Sequence, residues 1–403
     1  MDEKIKHILI FFHALELGGA ERALVGLLHA LDYSRVQVDL FLMRHEGELM
    51  SQIPAQVHLL PEKPQYASLA VSLKTVLKKG QLGVALGRLR GKLAAKRRER
   101  ELGITSGSVI GLEYSHKYTR AFMPPVGRRE YDLAVSFLTP HYFVAEKVQA
   151  KKKIAWIHTD YTTISLDRAS ELSMWSKYDH IASISDTVGE CFCQTFPELR
   201  SRLVKIENIL PASLIRTAAA ADHPADMPAD GSIRLLSIGR YCEAKNFDNV
   251  PDICRRIRQT GLNVKWYLIG FGGDETLIRS KITEAGMEDH VVMLGKRDDP
   301  YPYIASCDLY VQPSRYEGNS VTVREAQVLS KPVVITRYAT SASQLQEDID
   351  GVIVPMDNEG CAGGITALLR DPEKMQQLSE NCRRGDYANT CQAEKLMELI
   401  DCV

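Results

Sequence analysis

The stretch 309–329, L-Y-V-Q-P-S-R-Y-E-G-N-S-V-T-V-R-E-A-Q-V-L, joins a short apolar run to a segment with the length and apolar content of a helix. The run 309–311 predicts a buried strand, and 322–329 predicts the helix. Glu317 in the loop and Glu325 in the first turns of the helix stand eight positions apart. The residues between them are small or polar: Gly318, Asn319 and Ser320. They leave backbone amides at a helix N-terminus, where an anion or sugar hydroxyls can bind.

Both carboxylates also have a purely structural explanation. Thr322 and Glu325 have the spacing of a capping box, in which the glutamate satisfies backbone donors at the start of the helix. Glu317 alone is compatible with an ordinary solvated loop. Two glutamates at this spacing do not distinguish these alternatives by themselves.

The composition is that of an ordinary globular protein, with 45% hydrophobic and 25% charged residues. A length of 403 residues favours two domains, and a net charge of −1 gives no general attraction to nucleic acid. No run of eighteen apolar residues predicts a membrane span, and the N-terminal sequence lacks a signal-peptide pattern. The nine scattered cysteines argue against a disulfide framework. These features predict a cytoplasmic protein.

Short apolar runs alternate with helical patterns along the chain. In the first half these runs are 7–12, 36–43, 57–60, 131–137, 153–157, 180–185 and 203–206. In the second half they are 233–238, 264–269, 291–294, 309–311, 333–335 and 352–354. Such alternation predicts parallel sheets with helices on both faces. The expected fold is therefore α/β, with two doubly wound domains facing each other across a cleft.

The composition changes between the two halves, where prolines, a run of alanines and few large apolar residues indicate a connection. The predicted divisions are an N-terminal domain (1–207), a linker (208–231), a C-terminal domain (232–380) and a C-terminal helix (381–403). A return of the last helix to the N-terminal domain is one option.

Two turns of the first half carry candidate ligand-binding residues. Gly18 and Gly19 follow the first strand and precede a helical pattern, so their backbone can come close to a ligand. A tight strand-to-helix turn explains the same glycines equally well. His158 follows the strand predicted over 153–157, at the end where open α/β sheets bind their ligands. On position alone, His158 is as readily a structural residue.

The turn after the strand predicted over 233–238 carries two cations, Arg240 and Lys245. A guanidinium and an ammonium on one turn suit phosphate binding, because arginine binds phosphate oxygens bidentately and lysine adds a point charge. Ordinary surface charges are the alternative.

A basic segment begins with Lys74 and ends with Arg100. It contains ten lysines and arginines against a single acid, Glu99, and leucines and valines interleave with them at near-helical spacing. A basic amphipathic helix is typical of a surface for anionic lipid, whereas a solvated helix packed by its apolar side is the alternative. The glycines within the segment (Gly80, Gly83, Gly87 and Gly91) argue against one long rigid helix.

Taken in order and at these separations, the motifs resemble the retaining glycosyltransferases of family 4, whose two Rossmann-like domains form the GT-B arrangement. The resemblance covers most of the chain and is nearest to bacterial members that build cell-surface polysaccharides. The motifs are Gly18-Gly19-Ala20-Glu21-Arg22, Trp156-Ile157-His158, Ser237-Ile238-Gly239-Arg240, Lys245-Asn246-Phe247, Pro300-Tyr301-Pro302-Tyr303, Glu317-Gly318, Glu325-Ala326 and Lys331-Pro332-Val333-Val334.

The resemblance implies roles for the candidate residues of the second half. Glu317 and the amides behind it hold the donor sugar, and Glu325 binds the ribose hydroxyls of the nucleotide. The residues that supply those amides are Gly318, Asn319 and Ser320. Arg240 and Lys245 bind the diphosphate. Asn319 departs from the apolar or aromatic residue common after Glu-Gly, which leaves the identity of the sugar open.

In the first half, the resemblance implies that Gly18-Gly19 approach the phosphate and the acceptor, and that His158 lies near the sugar and the acceptor. His158 and Glu317 are thus the implied catalytic residues. The implied reaction transfers a sugar from a nucleotide-diphosphate donor to a saccharide or lipid-linked acceptor with retention of configuration. A UDP-sugar is expected as the donor in preference to a GDP-sugar, and no separate cofactor is expected.

Metal-independent transfer is a further expectation. No Asp-x-Asp follows a predicted strand. Asp348 and Asp350 have that spacing but precede the strand over 352–354, and Asp298-Asp299 are adjacent in a turn. Arg240 and Lys245 supply fixed positive charge instead.

Two other functions stay open. A non-catalytic GT-B subunit would keep the fold without turnover, and a nucleotide-sugar epimerase or hydrolase would act without an acceptor. For the transferase, the expected location is the cytoplasm, with an option of peripheral attachment to the inner face of the membrane through residues 74–100.

Overall fold

The computed structural model describes residues 5–104, 107–220, 224–318 and 320–401. The chain forms two compact units, one of residues 1–209 and 390–403 and the other of residues 210–389. Each unit is built around its own parallel β-sheet.

The first unit contains, within its described residues, a seven-stranded sheet in the order β3-β2-β1-β4-β5-β6-β7, with parallel pairing throughout. The strands are β1 (Lys6–Phe12), β2 (Val36–Leu42), β3 (His58–Leu59), β4 (Tyr131–Ser136), β5 (Ala150–Ile157), β6 (His180–Ser183) and β7 (Leu203–Lys205). β1 lies inside the sheet between β2 and β4, and its residues from Ile8 to Phe12 are fully buried. A near-continuous apolar strand of this kind is expected in a sheet covered on both faces.

The helices of this part of the chain are α1 (Gly19–Ala30), α2 (Pro64–Ala67), α3 (Leu73–Lys78), α4 (Leu82–Leu102), α5 (Ile110–Thr119), α6 (His141–Lys147), α7 (Arg168–Trp175) and α8 (Asp186–Thr195). Short 3₁₀ turns lie at Glu48–Gln52, Arg120–Phe122 and Pro197–Arg202.

The second unit contains, in its described part, a six-stranded parallel sheet in the order β10-β9-β8-β11-β12-β13. Its strands are β8 (Ile233–Ile238), β9 (Val264–Ile269), β10 (Val291–Gly295), β11 (Leu309–Gln312), β12 (Val333–Thr336) and β13 (Val352–Val354). Consecutive residues of β11 enter opposite cores, because Tyr310 packs in one apolar cluster and Leu309 and Val311 pack in the other. Both faces of the sheet are therefore covered.

The remaining helices are α9 (Ala212–Ala219), α10 (Val250–Gln259), α11 (Glu275–Ala285), α12 (Tyr301–Ser306), α13 (Val321–Val328), α14 (Ser341–Gln344), α15 (Asn358–Leu369), α16 (Pro372–Arg384) and α17 (Gln392–Asp401). A 3₁₀ turn at Glu243–Lys245 follows β8.

Two ends of the second unit differ from the divisions drawn from sequence. The stretch 208–231 contains the helix α9, whose Ile215 is buried in the core of the second unit. The chain rejoins the first unit at Thr390, so α17 belongs to that unit. There Glu394 of α17 accepts hydrogen bonds from Arg35 at 2.8 and 3.1 Å.

The expectation that glycines interrupt the basic segment is wrong for α4, which is one helix of 21 residues. Two of its glycines, Gly87 and Gly91, face α5. A Cβ on Gly87 would lie 2.7 Å from the carbonyl oxygen of Tyr118, and a Cβ on Gly91 would lie 2.7 Å from that of Tyr114. The missing side chains let the two helix backbones approach each other, which offsets the low helix propensity of glycine.

Within the described ranges, none of the helices combines the length and the apolar character that a bilayer-spanning segment requires.

Candidate active site

The loop after β11 lies where the strand order of the second sheet reverses. The chain builds outward from β8 to β9 and β10, and β11 then pairs with the other side of β8. In open parallel sheets, ligands bind beyond the carboxyl ends of the strands at such a reversal. The predicted donor-binding residues after β8 and after β11 therefore occupy neighbouring loops.

Lys245 and Glu317, 72 positions apart in the sequence, meet at this point. Nζ of Lys245 lies 2.5 Å from Oε1 of Glu317, and the two side chains are only 20% and 10% exposed. The lysine stem runs beside Gly239, where a Cβ would lie 3.1 Å from Cε of Lys245. The pair thus holds one cation and one carboxylate in defined positions beside the strand ends.

A buried polar network orients Glu317. The side chain of Gln312, fully buried at the end of β11, accepts a hydrogen bond from the hydroxyl of Tyr310 at 2.8 Å. Its Nε2 donates to Oγ of Ser314 at 2.9 Å and to Oε1 of Glu317 at 3.3 Å. Ser314 in turn donates to Oε1 of Glu317 at 2.7 Å. Because a buried amide is costly unless it is hydrogen-bonded, this network restricts the carboxylate to one orientation.

The turn after β8 fixes the loop from one side. Arg315 forms a two-point ion pair with Asp248, at 3.0 and 2.8 Å. Nδ2 of Asn246 donates to the carbonyl of Pro313 at 2.9 Å, and Asn246 itself has a positive φ of 59°, a conformation that asparagine tolerates.

The segment after β12 fixes the loop from the other side. Oγ1 of Thr340 donates to the carbonyl of Glu317 at 2.7 Å. The backbone amide of Ser320 donates to Oε1 of Gln344 at 2.6 Å. The expectation of a free amide is therefore wrong at Ser320. Gly318 lies in the same loop, whereas Asn319 falls outside the described residues.

Glu325 lies in α13 and is fully buried, and its Oε1 accepts a hydrogen bond from the hydroxyl of Tyr301 at 3.1 Å. The capping-box interpretation is wrong, because the residue before the helix is Ser320 and no side chain caps it. Thr322 lies inside the helix, and its hydroxyl donates to Gln312 at 3.4 Å. The carboxylate of Glu325 therefore faces the domain interior.

Arg240 directly follows Gly239 in the turn after β8, and its side chain is exposed. Among the described residues, that side chain has no hydrogen-bond or ion-pair partner. The loop after β9 closely approaches this turn: Gly270 has a φ of 154°, and a Cβ there would lie 1.9 Å from the carbonyl oxygen of Gly239. Only glycine fits at this crossing, which lies directly before Arg240 in the turn.

In the first unit, Gly18 precedes α1 and Gly19 begins it, and no side chain caps the helix at Gly18. The carboxylate of Glu21 folds back over the turn, so that a Cβ on Gly18 would lie 2.1 Å from its Oε2. His13 lies 3.4 Å from the same carboxylate. A negative side chain at a helix N-terminus is favourable, and an incoming phosphate would have to displace it.

His158 follows β5 directly. Its ring lies 5.0 Å from that of Phe137, and its Nε2 is a buried atom without a hydrogen-bond partner among the described residues. Burial lowers the pKa of His158 to about 4, so the imidazole is neutral at physiological pH. A neutral ring can exchange a hydrogen bond with a hydroxyl but carries no positive charge.

The residues that hold the site in place were not predicted from the sequence to do so. They are Asp248, Tyr301, Tyr310, Gln312, Ser314, Arg315, Thr340 and Gln344. One signal was available: Gln312 is a polar residue at the end of an apolar strand, and such a residue is expected to have a buried partner.

Most of the second unit matches the model of a known protein family. Residues 221–385 match the family described as glycosyl transferases group 1. The match spans the loops that carry Lys245 and Glu317. It therefore supports a glycosyltransferase domain in this half of the chain.

Curated relatives agree with this match. The chain is 27% identical over 189 residues to the lipopolysaccharide core biosynthesis glycosyltransferase LpsE of Rhizobium meliloti, covering 46% of this chain and 54% of LpsE. It is 29% identical over 149 residues to a Campylobacter jejuni protein named N-acetylgalactosamine-N,N'-diacetylbacillosaminyl-diphospho-undecaprenol 4-alpha-N-acetylgalactosaminyltransferase, covering 36% of this chain and 40% of that protein. The chain thus spans about half, or less, of the length of the curated relatives it matches.

The fold extends over the whole chain. Anabaena HepE, solved in complex with UDP and glucose, superposes with a TM-score of 0.69 at 16% identity, covering 99% of this chain and 100% of HepE. The prediction of two Rossmann-like domains of the GT-B fold class is confirmed.

Proposed function

We propose that the protein is a retaining glycosyltransferase of family 4, which moves a sugar from a nucleotide-diphosphate donor to a saccharide acceptor in cell-surface polysaccharide synthesis. The observation that carries the proposal is the Lys245–Glu317 pair at the strand reversal of the second sheet. The names of LpsE and of the Campylobacter enzyme, and the UDP complex of HepE, support the reaction class and the donor type.

The donor is assigned to the loops after β8 and β11. Lys245 and the exposed Arg240 bind the diphosphate, while Glu317 binds the hydroxyls of the sugar together with the backbone at Gly318 and Asn319. Glu325 binds the ribose, which requires the buried carboxylate to become accessible on binding. UDP is proposed as the carrier nucleotide, and no separate cofactor is required.

The chemistry follows from where charge develops. As the bond between the sugar and the diphosphate breaks, negative charge grows on the departing phosphate and the sugar becomes oxocarbenium-like. The cations of Lys245 and Arg240 stabilise that charge because they are already in place. Glu317 is bound by Lys245 and Ser314, so it is oriented as a hydrogen-bond acceptor.

Retention is proposed to proceed on one face of the sugar. A double displacement uses a pair of carboxylates across the anomeric carbon. Glu317 and Glu325 do not form such a pair, since Glu325 is buried against Tyr301. The departing phosphate therefore takes the proton of the attacking acceptor hydroxyl. His158, uncharged at neutral pH, is proposed to orient that hydroxyl or the sugar.

The acceptor is proposed to be lipid-linked, with the glycine turn of Gly18 and Gly19 on the acceptor side. The cations of residues 74–100 draw the enzyme to the inner face of the cytoplasmic membrane, where anionic lipids contribute about 1 kcal/mol per lysine or arginine.

Ligand-induced stabilisation tests the donor site. Binding to the folded state raises stability by RT ln(1 + [L]/Kd), about 2.7 kcal/mol when UDP is at a hundred times its Kd. UDP and UDP-sugars are expected to raise the Tm of the wild type, and Lys245→Ala to lose most of that rise. Lys265→Ala is the matched control, because Lys265 pairs with Asp230 at the same 2.5 Å but near the amino end of β9.

Equal UDP-induced shifts in Lys245→Ala and Lys265→Ala would contradict the assignment. Product analysis separates the remaining alternatives. Free sugar or an altered sugar epimer formed without acceptor indicates a hydrolase or epimerase, and donor binding without turnover over a panel of acceptors indicates a non-catalytic subunit.

A further inference from the structure

The helix α4 presents leucines to solvent on one side. Leu82, Leu86, Leu89 and Leu93 are 67, 44, 48 and 62% exposed. Their spacing of four, three and four residues places them on one side of the helix. We call this row the leucine face.

The contacts of Gly87 and Gly91 with α5 show that the leucine face points away from α5. Gly87 and Gly91, which contact the backbone of α5, lie on the side of the helix opposite the leucines. Ala95 on the packed side is 2% exposed. The four leucines therefore do not pack α4 onto its own domain, whereas Val84, which is 1% exposed, lies on the packed side with Ala95.

Cations border the leucine face. The exposed basic residues of α4 are Arg90, Lys92, Lys96, Arg97 and Arg100. Within the described chain, Arg97 pairs with Glu101 at 2.8 Å, whereas the other four have no carboxylate partner. By helical position, Lys92 and Lys96 lie on one side of the leucine row, and Arg90 and Arg97 lie on the other. Arg100 lies in line with the row, beyond Leu93.

Polar contacts to Asp167 and Ser165 hold the helix pair in this orientation. Nε of Arg98 in α4 donates to Asp167 at 2.9 Å, and the hydroxyl of Tyr114 in α5 donates to the same carboxylate at 2.8 Å. The connection between the helices also pairs with Ser165, whose amide and carbonyl bond Gly107 and Val109 at 3.0 Å each. Ser165 and Asp167 end the loop that begins with His158.

We infer that the leucine face inserts in the plane of an anionic bilayer, with its flanking cations at the lipid headgroups. An apolar row bordered by cations, most of them without a carboxylate partner among the described residues, fits this partner, because it combines burial of apolar area with attraction to negative lipids. A second copy of the chain fits poorly, since face-to-face contact would bring the cations of both copies together. The inference deepens the proposed function by naming the surface that meets the membrane of a lipid-linked acceptor.

Vesicle sedimentation of the full chain tests the inference, with no donor or acceptor present. Binding is expected to vesicles of phosphatidylcholine with 30% phosphatidylglycerol and to be at least tenfold weaker on phosphatidylcholine alone. Leu89→Gln/Leu93→Gln should weaken binding at least tenfold. Leu277→Gln is its control, as this leucine of α11 is 44% exposed. Lys96→Gln/Arg100→Gln should weaken binding comparably, whereas Arg383→Gln/Arg384→Gln, two exposed cations of α16, should not.

Insertion itself is measured with Leu89→Trp, whose emission should shift to the blue and be quenched by brominated lipid. Unchanged emission, or equal binding of Leu89→Gln/Leu93→Gln and wild type, would overturn the inference in favour of purely electrostatic adsorption. A dimer by analytical ultracentrifugation that Leu89→Gln/Leu93→Gln dissolves would overturn it in favour of self-association. Retained UDP stabilisation in every variant keeps failure of this inference distinct from failure of the proposed function.

Discussion

At the scale of single residues, the environment of each candidate decides what it can contribute. Lys245 and Glu317 are identifiable as charged residues near strand ends, but their contact depends on two turns folding side by side. The exposure of Arg240 and the burial of Glu325 are equally absent from the sequence motif. An identical motif can therefore present one charge to a ligand and bury another.

His158 gives a prediction at this scale. Because burial lowers its pKa to about 4, the kcat/KM of transfer should show no titration near pH 6.5 that depends on this residue. His158→Ala should lower kcat/KM by about a hundredfold, in the range of one lost transition-state hydrogen bond, with UDP affinity unchanged. His180→Ala, at the amino end of β6, is the control.

The same pKa sets the sign of a stability effect. The folded-state pKa lies below the ordinary value, so the folded protein binds this proton less readily than the unfolded chain does. The stability contribution is complete above about pH 6.5 and is lost as the pH falls towards 4. The free energy of unfolding of His158→Ala should therefore fall less steeply with decreasing pH than that of the wild type. A pH profile with a pKa near 6.5 that disappears in His158→Ala would contradict the neutral imidazole.

At the scale of elements, apolar periodicity predicted much of the sheet architecture. The run at 7–12 became an interior strand of one sheet, and the run at 309–311 became a strand at the reversal of the other. Periodicity failed for α4 because the effect of a glycine depends on its neighbour. Gly91 lowers intrinsic helix propensity, yet it allows contact with the backbone of Tyr114, a partner that no local pattern reveals.

Glycine substitutions in this helix pair test that explanation. Alanine improves helix propensity by up to about 1 kcal/mol. Gly111→Ala in α5, with no atom within 4 Å of the added Cβ, should leave the free energy of unfolding unchanged or raise it. Gly91→Ala places its Cβ 2.7 Å from a backbone oxygen and should lower that free energy by about 1–3 kcal/mol through overpacking. Urea unfolding measures both, and equal effects would show that the packing tolerates a side chain.

At the scale of the whole molecule, the charge is unevenly distributed. The chain has a net charge of −1, yet the segment from Lys74 to Arg100 holds ten cations and one acid. That segment belongs to the first unit, whereas the proposed donor residues Arg240, Lys245 and Glu317 belong to the second. The proposed membrane attraction and the proposed donor binding can therefore be tested with separate mutations.

The supply of positive charge to the diphosphate gives the last prediction. Asp348 and Asp350 precede β13, whereas Lys245 and Glu317 follow the carboxyl ends of β8 and β11 in the same parallel sheet. These aspartates therefore belong to the opposite edge from the proposed donor site. Arg240 is the exposed cation beside Lys245, and its guanidinium can bind two phosphate oxygens.

Transfer is accordingly expected to continue at an unchanged rate when stripped enzyme is assayed in excess EDTA. Arg240→Ala and Lys245→Ala should each cost about 2–4 kcal/mol of transition-state stabilisation, by analogy with a lost oxyanion donor. Loss of transfer in EDTA, restored by magnesium or manganese, would show that a divalent ion supplies the charge assigned to these two side chains.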